Sequence, residues 1–179
     1  MQLQTKKGMR NMKLRNRVIA VVATACICSL SHNVRAQEKA TPSELAGKVH
    51  EAAAALAKAG EPGLADFDKN PGPWVWKDTY VFVLDCAKGV MAAHPLKAEL
   101  IGKPLAGLKD IKGNPAFELL CAATQSSSGT WAEYWIPKPG EKEGSRKISY
   151  GFSVSGTPYV VGAGIFDPQT PISDLEKTK

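Results

Sequence analysis

Tyr80, Tyr134, Tyr150, Tyr159, Trp131 and Trp135 each join an apolar ring to one hydrogen-bonding tip. That is the composition of a pocket that orients a small polar ligand, although ordinary cores use the same residues. Arg146 is the only arginine after residue 36, and with Lys103 and Lys147 it could meet a carboxylate. Of the two histidines after residue 36, His50 is expected on the solvated side of a helix. His94 ends a strand beside Pro95, either as an ordinary hydrogen-bonded residue or as a pocket contact. Nothing here is spaced for bond-making chemistry. There is no GxSxG elbow, Walker loop, HExxH or defensible pair of catalytic carboxylates. The lone Gly162-Ala163-Gly164 stands inside a strand pattern with no helix after it, so it reads as a place of close backbone approach, and no cofactor is implied.

The elements that must position these side chains follow from pattern. Thr41-Pro42-Ser43-Glu44 has capping-box spacing with proline at the first helical position. Leu45, Val49, Ala52, Leu56 and Ala59 recur at helical spacing until Gly60 and Pro62 stop them. Residues 61–73 are a connector with a short helical turn near Leu64 to Phe67. Strands are expected over 78–84 and 89–94, joined by a turn at Cys86 to Gly89. The segment 95–114, punctuated by Gly102, Pro104, Gly107 and Gly113, is a long loop of the kind that often carries function. A short helix over 115–124 capped by Asn114 and strands over 130–136, 147–154 and 159–166 complete the order. The class is α+β with an antiparallel sheet. In the strand over 147–154, Ile148, Tyr150, Phe152 and Val154 form an apolar side and Lys147, Ser149, Gly151 and Ser153 a polar one, so one face is expected to be buried.

Charge and cysteine count bound the setting. The 179 residues carry 23 Lys+Arg against 17 Asp+Glu, a formal +6. Seven of the basic residues lie in the first 36, which contain no Asp or Glu, so the remainder has 16 against 17, net -1. Nucleic acid is therefore not an expected partner. A basic start, the uncharged run Val18 to Leu30 and Val34-Arg35-Ala36 read as a signal peptide cleaved after Ala36. Thirteen uncharged residues fall short of the roughly 20 apolar ones that span a bilayer. An alternative is lipid anchoring through Cys26, since Ala23-Thr24-Ala25-Cys26 faintly resembles a lipobox, and Met9 or Met12 is an alternative start. Residues 37–179 suffice for one domain. In an exported chain Cys86 and Cys121 are the surviving pair, either a disulfide or two buried thiols.

Several ordered segments resemble the single Cache domain family of the second type. They are Tyr80-Val81-Phe82-Val83-Leu84-Asp85; Gly89 with Ala93-His94-Pro95; Leu100-Ile101-Gly102-Lys103-Pro104-Leu105 with Leu108-Lys109-Asp110 and Gly113; Gly129-Thr130-Trp131-Ala132-Glu133-Tyr134-Trp135 with Pro137-Lys138-Pro139; Lys147-Ile148-Ser149-Tyr150; and Tyr159 to Asp167. The resemblance implies a PAS-like fold, a long N-terminal helix packed on a five- to six-stranded curved antiparallel sheet whose concave face and loops enclose a small-molecule site. It implies ligand-binding residues Tyr80, His94, Trp131, Tyr134, Lys147 and Tyr150. Lys147 and Tyr150 fall on opposite faces of a regular strand, so both reach one pocket only through a strand end or a bulge. The function implied is a free-standing, non-enzymatic, periplasmic or secreted sensor-type domain for a small metabolite such as a short carboxylate. It would feed a membrane receptor, kinase or transporter in signal transduction or chemotaxis. The alternative is a ligand-free interaction or scaffold module, which an exposed patch holding Trp74, Trp76 and Trp135 would support.

Overall fold

The computed structural model describes residues 37–138, 140–167 and 169–178; the expected signal segment 1–36, with Cys26, lies outside them. Helix α1 (Pro42–Ala59) begins where the spacing predicts. The Glu44 amide donates to Thr41 Oγ1 and the Thr41 amide to Glu44 Oε2, satisfying two of the free amides that open a helix. It ends at Gly60, whose φ of 66° suits a residue without a side chain and whose amide reaches Leu56 O. Leu45, Val49 and Leu56 are fully buried with Ala46, Ala52 and Ala53, and the alanines let the helix sit close to the sheet.

Six antiparallel strands follow: β1 (Val75–Trp76), β2 (Thr79–Asp85), β3 (Val90–Ala93), β4 (Thr130–Pro137), β5 (Gly144–Ser153) and β6 (Tyr159–Phe166). They are ordered β1-β2-β6-β5-β4, with β3 also paired to β2. The last strand to be made thus lies in the middle, and β2 and β5 meet only through it. The two-residue β1 escaped the sequence pattern because so short a strand has no period to read.

Both faces of this sheet are covered, which corrects the expectation of one buried face. On one side α1 packs on Val81, Val83, Ile148, Tyr150, Val161 and Ala163. On the other, the long loop and a short helix α2 (Ala116–Leu120) close over Phe82, Leu84, Met91, Ala132 and Val160. Lys147 and Ser149, on the polar side of β5, are therefore 3% and 0% exposed. Each fully buried Leu, Val or Phe contributes about 1.5 to 3 kcal/mol, so two such layers hold the sheet from both sides.

Three smaller expectations are also revised. Asn114 does not cap α2; its side chain donates to Asp110 Oδ2, and Pro115 occupies the cap position. His50 is half-buried between helix and sheet, its Nε2 3.2 Å from Tyr150 Oη and its ring 4.2 Å from that of Phe152. Beyond Asp167, where the sequence reads only as a polar tail, the chain folds back: Asp167 Oδ1 accepts from the Gln169 and Thr170 amides, and α3 (Ile172–Leu175) buries Leu175 in the α1 layer. Of the two readings of Cys86 and Cys121 the disulfide is present, joining the turn after β2 to the end of α2. No helix among the described residues is long and apolar enough to cross a membrane.

Candidate ligand-binding cavity

Between the sheet and the long loop lies a cavity of about 180 Å³. Its floor is Tyr80 and Phe82 from β2, Tyr134 and Ile136 from β4, and Lys147 from β5; Leu100, Leu108 and Phe117 roof it. Strand alternation decides who enters. Tyr80 and Phe82 share a face two residues apart, and Tyr134 sits opposite Lys147 in the β4–β5 register. Glycine makes the room: a Cβ on Gly164 would meet Ser149 Oγ and come within 2.7 Å of Lys147 Cε. The Gly162-Ala163-Gly164 run is thus the close approach expected of it, with a Cβ on Gly162 striking the Phe82 ring at 2.8 Å.

Lys147 is the chemical centre of this space. Its Nζ is 3.5 Å from Tyr80 Oη and 4.8 Å from the Tyr80 ring centroid. No carboxylate of the described residues lies within 4.0 Å of it. Burial is the largest influence on its ammonium and opposes it, with Tyr80, Tyr134 and Asp78 working the other way. The ammonium then faces hydroxyls and a ring, with no counter-anion in contact.

His94 stands at the rim. Its Nδ1 accepts from the Leu96 and Lys97 amides at 3.2 and 3.1 Å, which makes Nε2 the protonated nitrogen of the neutral ring. Burial first, then the Lys147 and Lys97 charges, push its pKa down to about 4, so it is neutral at pH 7 and donates through Nε2. Tyr134 Oη pairs with Ser149 Oγ at 2.7 Å, and burial pushes the phenol up. Asp110, the one acidic lining residue among those described, is already occupied. Its Oδ1 accepts from the Lys112 and Asn114 amides and its Oδ2 from Asn114 Nδ2 and the Trp135 amide. Burial works against this carboxylate, but those donors outweigh it and hold its pKa below the usual value. Its role is to pin the loop to β4.

Of the six residues the family resemblance implied, the cavity gathers Tyr80, His94, Tyr134 and Lys147. Trp131 and Tyr150 face the other way, paired across β4 and β5 in the α1 layer with rings 5.0 Å apart. β5 is regular between 147 and 150, so strand parity separates them. Tyr150 Oη donates to Ser128 O at 2.7 Å, and burial then Glu176 push its pKa up to about 12. Arg146 is turned away as well, held by Glu133 at 2.7 Å and Asp167 O. Lys103 does not line the cavity, whereas Lys97 and Lys109 do. Lys97 had no signal in the sequence beyond its place in a long loop, and Lys109 had only its place in the resembling segment Leu108-Lys109-Asp110. Trp74 stacks on Phe67 and Trp135 lies under Lys112, so the three candidate patch tryptophans are half-buried.

Residues 75–169 match the family described as Cache domain. Among solved structures, the chain is similar to one described as "Structural basis for carboxylic acid recognition by a Cache chemosensory domain". The identity is 23% and the TM-score 0.53, over 69% of this chain and 87% of that one. It is also similar to one described as "Periplasmic sensor domain of chemotaxis protein", 24% identical with a TM-score of 0.51, over 69% of this chain and 89% of that one. No curated protein matches the sequence. The family match spans more than half of the chain and the likeness in fold accords with it, so the chain belongs to the Cache domain family.

Proposed function

We propose that this protein is an exported, non-enzymatic sensor-type domain whose cavity binds a short organic acid. The observation that carries the reading is Lys147, a buried ammonium in a small cavity with no carboxylate of the described residues in contact. A ligand carboxylate supplies the missing anion, and charge-assisted hydrogen bonds of this kind are about twice as strong as neutral ones. Tyr80 Oη and His94 Nε2–H are the further donors. Phe82 and Phe117 bound the apolar part of the ligand, and a cavity of this size admits a molecule about as large as benzene. The similarity to a structure described as recognising carboxylic acids supports the reading. A short-acid complex would then be presented to a membrane receptor, kinase or transporter. Residues 37–179 would form the exported single domain, released by cleavage after Ala36, and the disulfide suits such a compartment.

The test is a thermal-shift screen of short organic acids on the purified protein. A ligand at 100 times its Kd stabilises by about 2.7 kcal/mol, several degrees for a domain of this size. Stabilisation by one or more acids, absent for amines and sugars, is the expected result. A protein unmoved by every acid, with no copurified ligand in native mass spectrometry, removes the proposal.

A further inference from the structure

Three lysines line the cavity, and they differ in burial. Lys147 is almost wholly buried on the floor, while Lys97 and Lys109 are exposed, on the loop that forms the opposite wall. None of the three has a carboxylate within 4.0 Å among the described residues. The opposing charge on the wall is that of Asp110, whose four hydrogen bonds commit it to the loop and to β4. Three cations against one anion leave the described lining with a net of +2. The backbone of Lys97 is held next to the binding groups, since its amide donates to His94 Nδ1. Lys109 is fixed likewise, because it precedes the pinned Asp110 and follows Leu108 of the roof.

A monocarboxylate would answer only the buried charge. From the gradient of burial, we infer that the ligand is a short dicarboxylate, one carboxylate on Lys147 and the second at the mouth between Lys97 and Lys109. This rests on the proposed acid-binding function and narrows it. Both carboxyls of such an acid are ionised at neutral pH, so the ligand is a dianion that matches the excess of the lining. Inner and outer pairs differ in kind. The inner one is screened little by salt, whereas the outer pair lies in solvent, where each exposed ion pair contributes modestly and weakens over a Debye length of about 8 Å in physiological salt.

Calorimetric titration of the full mature protein with butanedioate and with butanoate, matched in carbon number, decides the matter. Butanedioate should bind about tenfold more tightly at low ionic strength, as two exposed pairs together allow. That margin should shrink as sodium chloride rises, and the doubly substituted K97Q/K109Q should abolish it. Both positions are exposed, so folding is not at stake, and the salt series on the unsubstituted protein is an independent reading. Equal affinity for the two acids, or tighter binding of butanoate, overturns the dicarboxylate while leaving acid binding intact. A preference that survives K97Q/K109Q overturns the assignment of the outer pair. Binding of neither acid, nor of any other in the screen, removes the acid-binding function itself.

Discussion

Replacing Lys147 with methionine separates the stability of the fold from its use. The side chain is 3% exposed, with Nζ 3.5 Å from a phenol oxygen and 4.8 Å from a ring centroid. Taking an ammonium out of water costs several kcal/mol even after relaxation. The ring face returns about 0.5 to 2 kcal/mol, and the adjoining cavity gives partial access to solvent. Met keeps an unbranched chain over Gly164 without the charge. K147M should therefore be more stable than the parent in the absence of ligand, by about 1 to 2 kcal/mol, or roughly 3 to 10 °C in Tm. Carboxylate binding should fall at the same time. A ligand anion left unpaired in a buried site loses about 3 kcal/mol or more, at least a hundredfold in Kd. Urea unfolding and calorimetric titration at neutral pH measure the two effects. A variant destabilised by more than about 1 kcal/mol would show that the ammonium supports the fold. Unchanged affinity for acids would show that it does not hold the ligand. Either result refutes the reasoning.

The remaining predictions concern the rim, the glycine and the disulfide. His94 has its folded pKa depressed to about 4 from 6.5, so the unfolded chain takes up its proton first as pH falls. Its contribution, about 3 kcal/mol, is present above pH 6.5 and lost between there and pH 4. Asn retains an acceptor near the Nδ1 position and does not titrate, so the difference in urea-unfolding free energy between H94N and the parent should narrow or reverse across that window; a constant difference contradicts the buried neutral imidazole. Gly164→Ala should displace Lys147 and Ser149, destabilising by about 1 to 3 kcal/mol and weakening acid binding; a crystal structure with Lys147 unmoved and wild-type affinity would contradict it. The Cys86–Cys121 link spans a separation of 35 residues, so C86A/C121A should lose about 4 kcal/mol by chain entropy, read by urea unfolding. Thiols that alkylate in the unreduced protein would dismiss the bond.

Local rules account for much of what is legible in the chain. The capping box, the alanine-rich stripe of α1, the strand boundaries of β6 and the α+β class follow from interactions within a few residues of each other, so the linear order carries them. The odd-even parity of β5 is equally local, and it alone separates Lys147 from Tyr150. The cysteine count left two readings of Cys86 and Cys121 open, a disulfide or two buried thiols, and the structure has the bond.

Burial is not local. Whether the polar side of β5 meets water depends on where the 95–114 loop and α2 come down, and that is set by contacts far apart in sequence: Asp110 with Trp135, and Cys86 with Cys121. Once that cover closes, Lys147 changes from a solvated strand lysine to a buried cation with a phenol beside it and no carboxylate of the described residues in contact, and Lys97 and Lys109 from loop charges to the mouth of a cavity. Arg146, the more conspicuous cation in the sequence, is consumed by Glu133 across the strand pair. By itself, then, the sequence determined the longer elements and, in β5, the face on which each side chain stands. The tertiary structure decided which faces are shut off from water, because desolvation, which gives a charge its power to bind, depends on everything packed around it.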